Sequence, residues 1–176
     1  MTRALFVVLM VVFAGATGFA QEKTDKAANI LNEVFSRRNG TWDTQTTIKP
    51  GVWVPDGLEL KGVETIDWAL GKKFIQGKKQ EPGNVESMFL ETYDDKDQVF
   101  RSWYFDSNGA FPRGETIGRW DAPTKTMTYK GIDPTGAAIL IVIRFSEPDL
   151  IDWNGTWRDK DGKILMEIQG KSTRRK

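Results

Sequence analysis

The chain has 176 residues, with 25 lysines and arginines against 24 aspartates and glutamates, and it contains neither histidine nor cysteine. These two absences exclude a Ser-His-Asp triad, a thiol nucleophile, an imidazole zinc site and a haem held by a proximal histidine. A net charge of +1 also argues against nucleic acid, which rewards a strong basic excess. Carboxylates, amines, guanidiniums, hydroxyls and surface shape remain as the means of function.

The segment 1–20, MTRALFVVLMVVFAGATGFA, has the pattern of a secretory signal peptide. Arg3 supplies the positive start, 4–13 forms the apolar run, and 18–20 is a small-x-small cleavage site. We therefore expect cleavage after Ala20 and a secreted or periplasmic protein with no membrane span. An uncleaved anchor is the alternative, although the apolar run is short for one.

The segment 24–38 is the one good helix prediction. Thr24 is a suitable cap, Asn39 and Gly40 can end the helix, and one apolar stripe runs along it at helical spacing, formed by Ala27, Ile30, Leu31, Val34 and Phe35. A stripe of this kind indicates a helix packed against a core.

From Trp42 onward the apolar period changes to two, which indicates strands. Besides the strand that starts there, we predict strands at 58–68, 73–79, 86–93, 99–105, 115–120, 126–130, 137–145, 150–153 and 164–169, about ten in all. The segment 137–145, AAILIVIRF, is apolar on both faces and is expected to be the most buried.

Many of these strands end with a large apolar residue followed by Asp and a run of turn residues, as at Tyr93-Asp94, Phe105-Asp106, Trp120-Asp121 and Ile132-Asp133. Short strands joined by hairpins form an antiparallel meander, and a meander this long exposes its edges unless it closes. The predicted fold is therefore all-β, an antiparallel up-and-down barrel of about ten strands. The predicted organisation is a signal peptide (1–20), an N-terminal helix (21–40) and a barrel domain (41–176).

The tetrapeptide Asn-Gly-Thr-Trp occurs twice, at 39–42 and 154–157, with different flanks. We interpret both copies as a glycine that lets the chain bend into a strand, followed by a Trp that fills a large volume at an end of the barrel.

Gly40-Thr41-Trp42 after a short helix and before a meander resembles the start of the lipocalin-like (calycin) barrels. The pattern from Tyr93-Asp94 through Trp103, 106–109 and 118–121 resembles a family of exported bacterial proteins (domain of unknown function 1579), over about 35–172. The resemblance implies that Trp42 closes one end of the barrel beneath a cation from the last strand, with Arg174 and Arg158 as candidates. Otherwise, the basic end 171–176 is interpreted as a solvated tail. Haem-binding relatives use a histidine that this chain lacks.

Charged residues within the predicted strands are the candidate site. If even positions of 58–68 and odd positions of 99–105 face inward, the strands enclose a cavity with charged and aromatic side chains. The candidate lining residues are Glu64, Trp68, Arg101, Trp103, Arg119 and Arg144. The direction of Arg144 is ambiguous, because both faces of its strand are apolar. Buried charges must pair, reach water or meet a ligand. The functional hypothesis is a non-catalytic cavity for a small hydrophobic or anionic amphiphilic ligand, whose head the guanidiniums orient.

Three alternatives remain open at this point. The inward charges can form an internal network or lie at an exposed end. The barrel can be filled and serve as a structural or protein-interaction unit. A carboxylate-dependent hydrolase would use Glu64 and Glu91. No cofactor is indicated, and Asp159-Lys160-Asp161-Gly162 is interpreted as a hairpin turn rather than a metal site, because the closing glutamate of a calcium loop is replaced by Gly170.

Overall fold

Ten strands, each joined to the next along the chain, dominate a computed structural model that describes residues 29–82, 85–107, 109 and 114–176. The predicted signal peptide and the start of the predicted helix lie outside the described residues. Within them, helix α1 covers 29–38. The strands are β1 Gly40–Ile48, β2 Leu58–Ala69, β3 Phe74–Glu81, β4 Val85–Asp94, β5 Val99–Asp106, β6 Glu115–Asp121, β7 Thr126–Ile132, β8 Ala138–Glu147, β9 Leu150–Arg158 and β10 Ile164–Arg174.

The sheet closes on itself. Every strand pairs antiparallel with its neighbours in sequence, and β1 also pairs with β10, with Trp42 opposite Arg174 and Ile48 opposite Ile168. Closure leaves no strand edge unpaired, which removes the aggregation risk of a long meander. The predicted all-β, up-and-down, lipocalin-like barrel of about ten strands is confirmed.

Aspartates organise the turns, as predicted. The carboxylate of Asp94 accepts hydrogen bonds from the backbone N–H groups of Lys96 and Asp97 at 3.0 and 3.2 Å. Asp159 does the same for Asp161 and Lys163 at 3.0 and 2.9 Å, so the Asp-Lys-Asp-Gly segment is a hairpin turn. These bonds satisfy backbone donors that the strands leave free.

The register divides the barrel into two halves. In one half, which we call the closed half, inward-facing side chains from all around the barrel pack together with α1, and the core consists of Val34, Phe35, Trp42, Ile66, Ile75, Phe100, Met127, Tyr129, Phe145 and Ile151. Those that lie on strands are near the starts of odd-numbered strands, such as β1 and β5, and near the ends of even-numbered strands, such as β2 and β8. The opposite ends of the strands form the open half.

Helix α1 covers the closed half. Val34 and Phe35 are buried on its inner side, and the ring of Phe35 lies 4.0 Å from that of Trp68. Helical spacing places Arg38 on the same side as Val34 and Leu31, and Arg38 is buried too. The helix therefore contributes both apolar packing and one cation to the interior.

Trp42 is completely buried beneath α1. Its indole Nε1 donates a hydrogen bond of 2.7 Å to the carbonyl oxygen of Arg38. The guanidinium carbon of Arg174 lies 4.2 Å from the centre of its ring. Arg174 also donates to the carbonyl oxygens of Asn39 and Arg37, the second at 3.0 Å. Of the two candidate cations, Arg174 is therefore the one over the indole.

Two local expectations were wrong. Strand β8 is not the most buried, because Ala138 and Leu140 face outward and are exposed. Residues 171–176 do not form a free tail, because β10 continues to Arg174 and Arg175 pairs with Asp43 at 2.6 Å. The positive charge of 171–176 suggested a segment free in solvent, but the pairing of β10 with β1 holds it against the barrel.

We expect Arg174→Ala to lower the free energy of unfolding by about 2 kcal/mol, because it removes the half-buried cation over the buried ring of Trp42 and leaves helix-end carbonyls without a donor. Urea unfolding monitored by circular dichroism measures this loss. Arg175→Ala is the matched control: it removes an exposed ion pair, which contributes less than about 1 kcal/mol. Equal losses in the two variants would contradict a special role for Arg174.

Candidate functional site

The inner wall of the open half is accessible. The side chains of Leu60, Phe89, Ser102, Ile141 and Trp157 share faces with buried residues of their strands and so point inward, yet all of them are only half-buried. In the closed half, Ile75 and Phe100 also face inward and have no exposed surface at all. Among the described residues, the barrel is thus more tightly packed at one end and accessible at the other.

A cation stacked on an aromatic ring lies where the two halves meet. The ring of Phe89 lies against Gly77 so closely that a Cβ there would come within 2.0 Å of it, which only glycine allows. The guanidinium carbon of Arg38 lies 4.6 Å from the centre of the same ring. The cation of α1 therefore faces the accessible interior across Phe89.

Arg38, Glu91 and Tyr129 form a buried hydrogen-bonded group that we call the polar floor. Arg38 Nη1 donates to Glu91 Oε1 at 2.7 Å and to the Tyr129 hydroxyl at 3.4 Å. The Tyr129 hydroxyl donates to the other carboxylate oxygen, Glu91 Oε2. Glu91 is 1% exposed, so its charge depends on these two partners for compensation.

The electrostatics of the polar floor keep the cation charged and the phenol neutral. Burial acts to lower the pKa of the Arg38 guanidinium, but its interactions with Glu91, Tyr129 and Glu64 outweigh burial and raise it. The pKa of Tyr129 is raised well above its ordinary value, chiefly by burial and then by the charge of Glu91. Tyr129 therefore remains a hydrogen-bond donor at neutral pH.

A second ion pair lies on the inner face of β3. Lys79 Nζ lies 2.5 Å from Glu81 Oε1 and donates a hydrogen bond of 3.2 Å to the hydroxyl group of Thr46 on the inner face of β1. Both charged side chains are mostly enclosed, at 16% and 13% exposed. This pair and the polar floor each join one cation to one carboxylate.

Glu64 faces the interior opposite Trp42 on β1 and Lys79 on β3. It is half-buried, and its carboxyl group has no hydrogen-bond or ion-pair partner among the described residues. Burial raises its pKa, as does the charge of Glu81, while Arg38 and Lys79 act to lower it. Around Glu64, the described wall therefore holds three carboxyl groups, those of Glu64, Glu81 and Glu91, against the two cations Arg38 and Lys79.

The structure supports the predicted inward orientation of two candidate residues. Glu64 and Trp68 both lie on the inner face of β2, where Trp68 is opposite the buried Ile75. Trp68, however, packs against Phe35 in the closed half. Of the two, only Glu64 faces the accessible interior.

The expectation that Arg101 and Trp103 face inward was wrong. Phe100 and Ser102 occupy the inner face of β5, opposite Tyr93 and Glu91, so the odd positions point outward. Arg101 lies on the outer surface, where it binds Asp94, Asp97 and Glu115 at 2.8, 2.6 and 3.1 Å. Aromatic residues on both faces of this strand concealed its orientation.

Arg119 and Arg144 also lie outside the barrel. Arg119 is opposite Thr128, one position from the inward-facing Tyr129. Arg144 is opposite Asp152 and borders a groove of about 340 Å³ on the outer surface, lined by Gln45, Thr47, Arg144, Asp152, Trp153, Asn154, Gln169, Gly170 and Lys171. None of the three predicted arginines reaches the interior.

Sequence reasoning missed the interior roles of Arg38, Lys79 and Tyr129. A signal existed for Arg38, which continues the helical stripe of Leu31 and Val34 by one further turn. A weaker one existed for Lys79, which alternates in phase with Ile75 and Gly77. Helix-end electrostatics offered a sufficient alternative explanation for Arg38 and masked its buried position.

Glu91, the second carboxylate considered for a hydrolase, is enclosed and bonded through both of its oxygens. General acid–base catalysis requires a carboxyl group within hydrogen-bond reach of a substrate, and Glu64 is the one of the pair with accessible surface. A two-carboxylate site therefore has no support from this geometry.

Within the described residues, acidic side chains do not gather in groups of three or more at metal-binding distances. The described residues also contain no helix with both the length and the apolar character needed to cross a lipid bilayer.

Comparisons with known proteins identify the fold. No protein-family model matches the chain, and neither does any curated protein. The S-type phycobiliprotein lyase CPES from Guillardia theta aligns with a TM-score of 0.57 at 16% identity, over 90% of this chain and 98% of that one. Rv2717c from M. tuberculosis aligns with a TM-score of 0.59 at 11% identity, over 83% and 98%. At such identities the chain shares their fold, and the likeness extends no further.

We expect Glu91→Gln to lower the free energy of unfolding by about 3 kcal/mol or more, because it leaves the buried charge of Arg38 uncompensated. Chemical denaturation measures the loss. Glu115→Gln, which weakens an exposed pair with Arg101, is the control and should cost less than about 1 kcal/mol. A loss for Glu91→Gln as small as that of the control would contradict the buried ion pair.

Glu64 should make stability depend on pH in a defined direction. Its folded pKa is raised above the ordinary 4.5, so its contribution is fully present below that pH and is lost as pH rises through the folded pKa. Glu64→Gln should therefore gain stability relative to wild type as pH rises from 4 toward neutrality. Unfolding curves across this range, with the outward-facing Glu59→Gln as baseline, measure it. A pH-independent difference between Glu64→Gln and wild type would refute the assignment.

Proposed function

We propose that this protein binds a small, predominantly apolar molecule inside the open half of the barrel, without catalysis. One observation carries the proposal: the large apolar side chains with no exposed surface, such as Trp42, Phe100 and Met127, lie in the closed half, whereas large inward-facing side chains of the open half, such as Leu60 and Trp157, are only half-buried. A barrel of this strand number can hold either a packed core or one small ligand, and here only one half is packed.

The lining supports an apolar ligand. Leu60, Phe89, Ile141 and Trp157 offer aliphatic and aromatic surface, with Ser102 among them. Binding sites for small molecules combine such surface with a few polar groups that fix orientation. The polar group in reach is Glu64, beside the enclosed polar floor.

The mouth of the barrel is also apolar. Leu58 and Tyr104 lie on the inner faces of β2 and β5 near the open end and are 47% and 41% exposed. Val52 and Trp53 in the β1–β2 connection are 49% and 37% exposed. Exposed apolar side chains around an opening lower the cost of bringing an apolar molecule to it.

The positions of the charged residues do not favour a ligand with an anionic head group. The three arginines that were expected to orient such a head lie outside the barrel, and the interior cations Arg38 and Lys79 already have carboxylate partners. A negatively charged head would meet a wall that holds an excess carboxyl group. The signal-peptide pattern adds the proposal that binding takes place outside the cytoplasm.

A protein-interaction role is the second candidate, favoured by the same exposed apolar side chains at the mouth. The two functions differ in what occupies the interior. A ligand-binding barrel takes up one molecule within its wall, whereas an interaction barrel leaves its interior unchanged when its mouth is covered.

The proposal is tested by titrating the protein with a neutral apolar fluorescent probe such as Nile red. We expect one probe per barrel, and we expect Ser102→Phe, which fills the inner wall above the polar floor, to weaken binding by about tenfold or more. Thr116→Phe on the neighbouring strand is a second filling variant in case the first destabilises the fold.

Thr128→Phe is the matched control, since Thr128 is on the outer face opposite Arg119. It should leave the affinity for the probe unchanged, and circular dichroism should show all three variants folded. Probe binding that survives both filling variants, or no binding to wild type, would count against an interior site and leave the interaction role as the better candidate.

A further inference from the structure

Glu64 is the acidic side chain of the described inner wall that lacks a partner. Glu91 is bonded to Arg38 and Tyr129, and Glu81 is bonded to Lys79. Glu64 lies between these two pairs on β2, opposite Trp42 of β1 and Lys79 of β3. Its carboxyl group is half-buried and has no hydrogen-bond donor among the described residues.

The charged groups that face Glu64 come from two elements. Arg38 of α1 and Lys79 of β3 act on it as cations, and Glu81 of β3 acts as an anion. Each cation already lies within 2.7 Å of its own carboxylate, although both still act on Glu64. With every group ionised, the two cations Arg38 and Lys79 face the three carboxylates Glu64, Glu81 and Glu91 in this part of the wall.

An unpaired carboxylate in a low-dielectric interior is costly, and the cost is relieved by a proton or by a cation. The wall offers no cation that is not already engaged. An occupant of the interior that carries a positive charge would supply one, and would also bring the internal charge to balance.

We propose that the ligand of this barrel is a hydrophobic amine, bound as its ammonium ion with Glu64 as the counter-ion and its apolar body against Phe89 and Ile141. This inference rests on the proposed binding function and specifies the chemical class of its ligand. A charge-assisted N–H···O bond replaces the lost hydration of both groups. Where Glu64 holds a proton before binding, that proton is released to solvent as the ammonium group takes its place.

Three probes with one apolar chain and different heads test the proposal: dodecylamine, dodecanol and dodecanoate, each displacing Nile red below its aggregation concentration. We expect the amine to bind about tenfold more tightly than the alcohol, as a buried charge-assisted bond provides, and the carboxylate to bind most weakly. In Glu64→Gln the advantage of the amine over the alcohol should disappear while the alcohol binds as before.

Glu59→Gln is the matched control, because Glu59 lies on the same strand and faces outward; it should keep the amine preference. Equal affinity for amine and alcohol in wild type, or tighter binding of the carboxylate, would overturn the inference while leaving the apolar site intact. Failure of all three probes to bind would instead refute the proposed function itself.

Discussion

The contact between Arg174 and Trp42 holds the architecture together. It joins the last strand to the first, and the hydrogen bonds of both residues to the backbone at the end of α1 fix the helix over the same end. A sheet of ten strands closes only if its outer strands meet in register, and here the contact between Trp42 and Arg174 also lies beside the buried core. Because stability is concentrated in the closed half, the open half does not have to be filled for the barrel to persist.

The barrel interior contains charged side chains as well as apolar ones, and four of these charged side chains form two ion pairs. Arg38 with Glu91, and Lys79 with Glu81, each satisfy a charge that would otherwise be expensive to enclose. Such pairs contribute little net stability compared with apolar packing of the same volume. Their presence at the boundary between the packed and the accessible half fits a wall that positions a molecule. Glu64, left without a partner by this pairing, is the residue on which the proposed preference for an amine rests.

Strand alternation and Asp-containing turns were enough to predict the fold, because each turn aspartate has local backbone donors and each amphipathic strand has one wet face, as in β2 and β10. Orientation could not be predicted where both faces of a strand are apolar. In β5, Phe100 and Tyr104 compete with Trp103 and Phe105, and only the pairing with β4 places the even positions inside. The polar floor was hidden for a different reason: its members come from α1, β4 and β7, which are distant in sequence and meet only after closure.

The connection of β1 to β10 also has a consequence for how the molecule is made. The residues that complete the closed end come from the helix and first strand at one extreme of the barrel domain and from the final strand at the other. Contacts of such large sequence separation carry a high loop-closure cost and form slowly. A chain that is still being synthesised therefore cannot close its barrel until β10 has emerged, and during that interval its apolar strand faces are available to chaperones.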